Sequence, residues 1–188
     1  MLAYVFWHRR KQEFSRGEYE DTLKQFHEVL NELHLEGFHG SLVARITGAP
    51  WLQPDSDAYE DWYLLDGSEV LDRLNEVAVQ DARKGPHNEI ALRATDFKGG
   101  LYQLKTGAHS SISGEFAIWH SKPAGTTYEA FYKNLSEYLT DESALWRRQM
   151  TLGPTSEFCL TSHSKVGVPA SFHPILLSRQ VICKSIID

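Results

Sequence analysis

Hydrophobic and polar positions along the chain change period several times, and those changes divide it into elements. Leu2 to His8 is a short run rich in aromatic and β-branched side chains, the pattern of a strand covered on both faces. Ser15 with Glu18 three residues on forms a capping box, after which Tyr19, Leu23, Phe26, Leu30 and Leu33 recur at spacings of three and four. This predicts one amphipathic helix, closed by Gly37. Strands are expected at Ser41 to Thr47 and Asp61 to Leu65, parted by the break Gly48-Ala49-Pro50 and the polar loop Gln53 to Asp57. Asp66-Gly67-Ser68 introduces a helix carrying Val70, Leu71, Leu74, Val77 and Ala78. Pro86 is expected to stop one helix, with Asn88 to Phe97 forming a second short one before a strand at Leu101 to Leu104.

The resulting order, β-α-β-β-α-β, is the ferredoxin-like unit. Gly107 to Gly114, rich in Ser and Gly, reads as a linker. The remainder runs as a strand (Phe116 to His120), a helix (Thr127 to Leu139) and strands at Leu145 to Thr151, Glu157 to Ser162 and Leu176 to Lys184. Gly167, Pro169 and Pro174 leave too little room for a helix between the last two strands, so a turn is expected there.

The two parts also resemble one another. Ala3 to His8 matches Glu115 to His120, each an apolar run closed by Trp-His. Tyr19-Glu20 with Phe26 and Leu30 matches Tyr128-Glu129 with Leu135 and Leu139, and Leu42, Arg45 and Pro50 match Leu145, Arg148 and Pro154. Three matches in the same order point to an internal duplication, with halves at 1–106 and 115–188 joined by 107–114.

On these Trp-His strands, Tyr-Glu helices and element order, the chain resembles the dimeric α+β barrel superfamily in a fused form. The resemblance implies an α+β fold in which two ferredoxin-like β-α-β-β-α-β halves pack sheet to sheet, the second with a reduced second helix. It also implies a cavity between a sheet and its helices that takes a small molecule. Activities in that superfamily include cofactor-independent monooxygenases, isomerases, polyketide cyclases and haem enzymes, so the resemblance fixes no single reaction.

Composition narrows the partners. The chain has 188 residues, of which 41% are hydrophobic and 23% charged, enough for a full core without disulfides. A net charge of -6 with no basic block beyond Arg9-Arg10-Lys11 argues against nucleic acid or an anionic membrane. No apolar run has the length of a signal or spanning segment, so a cytoplasmic protein, monomer or homodimer, is expected. The sheet order 4-1-3-2 expected for the unit places a strand between Cys159 and Cys183, so both thiols should be free.

Candidate chemistry gathers at the strand ends. His8 and His120 suit proton transfer near neutral pH, or serve only as hydrogen-bonded strand ends. Arg45 and Arg148 could stabilise a substrate anion, or pair with Glu20 and Glu129. Tyr19 and Tyr128 sit in the first helical turns near those histidines, and Trp51, Trp62 and Tyr63, with Tyr59, offer aromatic walls for a flat ligand, or ordinary core. No metal spacing and no nucleotide-binding glycine pattern occurs, while haem, which needs one histidine, stays open as a third reading. The leading expectation is a protein for a small hydrophobic or aromatic ligand, catalysing oxygenation, isomerisation or cyclisation by proton transfer. Its rival is a non-catalytic binding or stress-related assembly protein, with the pocket filled by Trp7 and Trp119. The sequence does not decide whether the protein is an enzyme.

Overall fold

Strand β1 (Leu2–Arg10) turns Ala3, Val5 and Trp7 to one side and Tyr4, Phe6 and His8 to the other, as the alternation of strand side chains requires. The computed structural model describes residues 1–54, 57–151 and 155–186. Pro154, and Asp55 and Ser56 of the expected polar loop, lie outside the described residues. Helix α1 (Arg16–Asn31) starts on the expected capping box, with Ser15 accepting from the Glu18 amide and Glu18 accepting from the Ser15 amide. Replacing Ser15 by alanine leaves the Glu18 amide without its acceptor, and we expect a loss of about 1 kcal/mol in urea unfolding at neutral pH. An unchanged midpoint would show that the cap contributes nothing.

Strands β2 (Phe38–Thr47) and β3 (Ala58–Leu65) precede helices α2 (Ser68–Ala78) and α3 (Asp81–Arg93). Pro86 does not stop α3: it lies in the second turn, where few backbone bonds are lost, and its ring is buried. The helix expected to run on to Phe97 ends at Arg93, because β4 (Ala94–Gly107) begins there. Helix α1 likewise ends well before Gly37, which instead makes a left-handed turn (φ 83°) into β2. The linker forms a 3₁₀ turn at His109–Ser113, followed by β5 (Phe116–His120), α4 (Tyr128–Ser136), β6 (Ser143–Thr151), β7 (Phe158–Ser162) and β8 (Ile175–Ile186). The expected short replacement for a helix before β8 is a 3₁₀ turn at Ala170–Phe172.

The strands close into one barrel, in the order β1-β3-β2-β8-β5-β7-β6-β4. Two sheets packed face to face were expected, and this is the main correction. β4 and β8 are longer than their apolar runs, and their extra backbone groups pair with β6 and β2. A closed ring leaves no sheet edge unpaired among the described strands. β5 lies between β7 and β8, and Cys159 and Cys183 are free. Among the described residues no helix is long and apolar enough to cross a membrane.

Eight strands enclose a lumen just wide enough for side chains. Here Trp7, Trp62, Trp119 and Trp146 fill it, all fully buried, with Tyr102 between them and Trp51 and Ile112 packed against them. Trp7 and Trp119 meet edge to face at 5.2 Å. Glu60 is the buried acid of this interior, accepting from Trp7 Nε1 (3.2 Å) and Arg179 Nε (2.5 Å). Arg179 also donates to the carbonyls of Ile112 and Gly114, so one guanidinium ties β8, β3 and the linker together. Outside the wall, α1, α2 and α3 cover one half, and α4 with the second 3₁₀ turn covers the other.

Candidate functional site

Between the outer face of β1 and β3 and the three helices above it lies a cavity of about 350 Å³. Its walls are largely apolar and aromatic: Tyr4 and Phe6 from β1, Phe26 and Leu30 from α1, Tyr63 from β3, and Phe97 from β4. Asp61 is the acid among them. The volume falls within the usual range for small-molecule sites. A second cavity of about 300 Å³ shares Tyr4, Phe6, Asn75 and Phe97 with the first and runs along β4 past Gly99 and Gly100.

Asp61 faces outward because it shares strand parity with Tyr59 and Tyr63, and β1 sets Phe6 directly beside it. Its carboxylate is almost wholly buried and carries three neighbours. His8 Nε2 lies 3.1 Å from Oδ1, Tyr63 donates its hydroxyl to Oδ2 at 3.2 Å, and His27 Nε2 lies 3.7 Å from Oδ2. Behind His8, its Nδ1 meets the Tyr19 hydroxyl at 2.6 Å, and the Tyr59 ring stacks on the imidazole at 5.6 Å. Behind His27, its Nδ1 meets Ser41 Oγ at 2.7 Å, and Ser41 donates to Asn31 Oδ1 at 3.0 Å.

The electrostatics follow from burial and these contacts. Burial works to raise the Asp61 carboxyl, but the charge of His8 and the close approach of both imidazoles override it and hold the group well below the usual carboxylate range. Burial, and then the Asp61 charge, push the phenols of Tyr63 and Tyr4 up, and burial does the same for Tyr19. The site therefore presents one fixed negative charge and neutral phenol donors to an apolar space.

The other half of the barrel holds the same frame with different contents. Cap residues Ser15 and Thr127, histidines 8 and 120, and positions 19 and 131 all stand 112 residues apart, so Tyr19 corresponds to Phe131 and not to Tyr128. The pairing of Trp7 with Glu60 and of Trp119 with Cys159 makes Leu160 the counterpart of Asp61 and Phe158 that of Tyr59. Register likewise pairs Arg45 with Arg147, each opposite those aromatics, so the sequence match to Arg148 is one residue out. In a strand one residue reverses the face. Every polar partner of His8 is thus apolar around His120, which lies among Phe131, Phe158 and Phe172 with neither nitrogen hydrogen-bonded. Burial alone pulls this imidazole down to about 4.

The residues singled out in the sequence therefore scatter. His8, Tyr19 and Tyr63 come together around Asp61. Arg45 is bound to Glu20 (2.6 Å) and to Gln180, away from the cavity lining. Arg148 donates to the Thr155 carbonyl (2.9 Å), and Tyr128 is 41% exposed and donates to Glu157. Trp51 and Trp62 belong to the lumen, not the cavity. Asp61 and His27 were not among the expected site residues, although both left a signal. Asp61 is a charge in an apolar strand at the parity of Tyr59 and Tyr63, and His27 follows Tyr19 and Leu23 at intervals of four.

Among the described residues no group of three or more His, Cys, Asp or Glu could hold a metal ion. Neither His8 nor His120 lines the cavity; His87 does. No family model and no curated protein matches the chain. Solved structures do. An anthrone oxidase-like protein is 11% identical over 98% of this chain and 92% of its own, with a TM-score of 0.56. A protein from Fusobacterium nucleatum with a provisional monooxygenase assignment is 10% identical over 98% and 94%, at 0.67. Another with the same provisional assignment, from Lactobacillus acidophilus, is 10% identical over 98% and 96%, at 0.55. The chain shares the fold of these structures, a closed eight-stranded α+β barrel. At such identities the likeness carries the fold and leaves the site to be read from its own residues.

Proposed function

We propose that the chain binds a flat, weakly acidic aromatic molecule in the cavity beside β1 and removes a proton from it, as the first step of an oxygenation. The observation that carries this reading is the buried, ionised Asp61 on the wall of an otherwise apolar and aromatic cavity. The names of the structural neighbours, an anthrone oxidase-like protein and two with monooxygenase assignments, support the same class of reaction.

In this reading the ligand's ring system lies against Tyr4, Phe6, Phe26 and Phe97, and its acidic C–H or O–H meets Asp61. Asp61, its charge offset until then by His8 backed by Tyr19, takes the proton and becomes neutral. Excluding water from the walls strengthens these interactions. The anion left on the ligand is electron-rich enough to react with dioxygen. For a ring methylene the balance is CH₂ plus O₂ giving C=O plus H₂O: the four electrons of the two C–H bonds reduce O₂, one oxygen atom leaving as water with both hydrogens and the other staying on carbon. Isomerisation or cyclisation would begin with the same proton transfer. Of the two sequence-related histidines, His8 is the one with partners for this work.

We also infer that residues 1–106 and 115–188 descend from one ferredoxin-like unit copied end to end. The constant separation of the caps and histidines supports this, as does the strand order 4-1-3-2 within each set of four. One copy then kept polar residues around its histidine and the other filled the space with phenylalanine and leucine.

The test is direct. Anthrone and 2-naphthol are titrated into the protein anaerobically, with tryptophan and tyrosine emission as the readout, and oxygen uptake is then followed in an electrode cell. Saturable binding with oxygen uptake above the uncatalysed rate is expected. Binding without uptake would favour the non-catalytic ligand carrier, and neither would remove the proposal.

A further inference from the structure

The cavity beside Asp61 continues along the outer wall of the barrel. On that face β1 sets Phe6 directly opposite Asp61 of β3 on one side and opposite Gly99 of β4 on the other. Asp61, Phe6 and Gly99 thus form a row across three strands, and two strand spacings put Gly99 about 10 Å from Asp61. Rings pave the way between them. Tyr63, hydrogen-bonded to Asp61, stacks on Tyr4 at 5.9 Å, Tyr4 meets Phe6 at 6.0 Å, and Phe6 stacks on Phe97 at 5.6 Å. Beyond this floor lies the second cavity, of about 300 Å³, which shares Tyr4, Phe6, Asn75 and Phe97 with the first and adds Leu71, Leu101 and Met150.

Gly99 keeps that second space open. A glycine inside a strand commonly answers one of two needs, a left-handed backbone or a neighbouring main chain too close for a side chain. Gly99 answers neither. Its φ is not positive, and a Cβ built on it would meet only side chains: the Tyr4 hydroxyl at 3.1 Å, the Tyr4 ring at 3.3 Å and the Phe6 ring at 3.6 Å. Gly100 differs, since a Cβ there would lie 2.8 Å from the Tyr102 ring and 3.2 Å from the Met150 carbonyl, inside the packed wall. Position 99 shares its strand face with Phe97 and Leu101, so it is a notch one side chain deep between them. Because Tyr4 and Phe6 belong to both cavities, a side chain at 99 would stand where the two join.

We propose that the two cavities are one binding site and that Gly99 sets its specificity. The inference rests on the reading of the first cavity as the ligand site. The ligand is an acidic aromatic ring with an unbranched apolar arm opposite its acidic group. Its ring lies beside Asp61, and the arm crosses Gly99 toward Leu71, Leu101 and Met150. An unbranched arm follows from the width of the notch, which Phe97 and Leu101 flank and Tyr4 overhangs. An apolar arm follows from the lining, whose one charged side chain, Lys98, is tied to Asp96. The site then discriminates by length, each added methylene being drawn from water onto apolar walls.

Calorimetric titration of the full chain with para-ethyl-, para-butyl- and para-hexylphenol tests this. In the wild type Kd should fall by about two- to fourfold per methylene, the gain for half to full burial of a CH₂ group. Two variants close the arm at different places. Gly99→Val fills the notch, and Met150→Trp fills the far end from a position that is 59% exposed, where a larger ring leaves the core untouched. Each should bind para-ethylphenol within threefold of wild type and para-hexylphenol at least tenfold more weakly. Circular dichroism establishes that the variants fold, and Met150→Trp decides alone if Gly99→Val does not. Equal affinity for ethyl and hexyl in the wild type, or an unchanged preference in the folded variants, would overturn the proposal. Oxygen uptake has no part in these titrations, so a failed arm leaves Asp61 standing as the base, and failed turnover leaves the arm standing. Binding of none of the phenols would overturn both.

Discussion

Asp61→Asn should lower oxygen-dependent turnover by about 10²–10⁴-fold, the contribution expected of a positioned acid–base group. Asparagine keeps the shape and the hydrogen bond from Tyr63 while removing the charge and the ability to accept a proton. Affinity for 2-naphthol should therefore change much less than turnover. Stability is expected to fall as well. Removing the carboxylate leaves two buried imidazoles without the group that compensates them, and breaking such a buried charged set costs about 3 kcal/mol or more. The pH dependence has a definite sign. Asp61 is held below the ordinary carboxylate value in the folded chain, so its contribution is complete above about pH 4 and is lost as pH falls toward the lower folded value. The variant should thus be the less stable protein at pH 7, with the difference shrinking in strong acid. Circular dichroism establishes that the variant folds, and oxygen uptake then decides. Wild-type turnover in a folded Asp61→Asn protein would remove Asp61 from the chemistry.

The second large effect belongs to the other half of the barrel. His120 is pulled down to about 4 by burial, whereas an unfolded histidine titrates near 6.5. Between those values the unfolded chain holds a proton that the folded chain does not, so stability declines as pH falls through that window. The decline amounts to about 3 kcal/mol once pH has dropped below the folded value. His120→Phe puts a fourth ring among Phe131, Phe158 and Phe172 and removes the titration. Urea unfolding at a series of pH values should therefore show the variant gaining on wild type by about that amount between pH 7 and pH 4. Parallel curves would mean that His120 finds a partner and is not the neutral ring that its surroundings require. Because Asp61 loses its contribution only at lower pH, the two effects occupy separate windows.

These two residues also mark how far the chain can be read without its fold. His8 and His120 are indistinguishable in sequence, each closing an aromatic strand after a tryptophan, and the pattern gives both the same candidate role. What separates them is the residue across the neighbouring strand and the one above on the helix: Asp61 and Tyr19 in one half, Leu160 and Phe131 in the other. Those partners are set by register. In the fold Phe131, three residues past Tyr128, is the counterpart of Tyr19, and Arg147, one before Arg148, is that of Arg45; in the strand that single residue reverses the face.

Local chemistry settled what local chemistry can settle. The capping box at Ser15, the alternation in β1 and the proline-limited turn before β8 all follow from neighbours in sequence, because caps, turns and strand faces depend on residues a few positions apart. The closure of the barrel, the burial of Trp51 and Trp62 in its lumen, and the meeting of Asp61 with His8 and His27 were decided only in three dimensions. They depend on which strands find each other across as many as 146 residues, as Gly40 of β2 does with Ile186 of β8, and on backbone groups beyond the apolar runs that must pair once water is excluded.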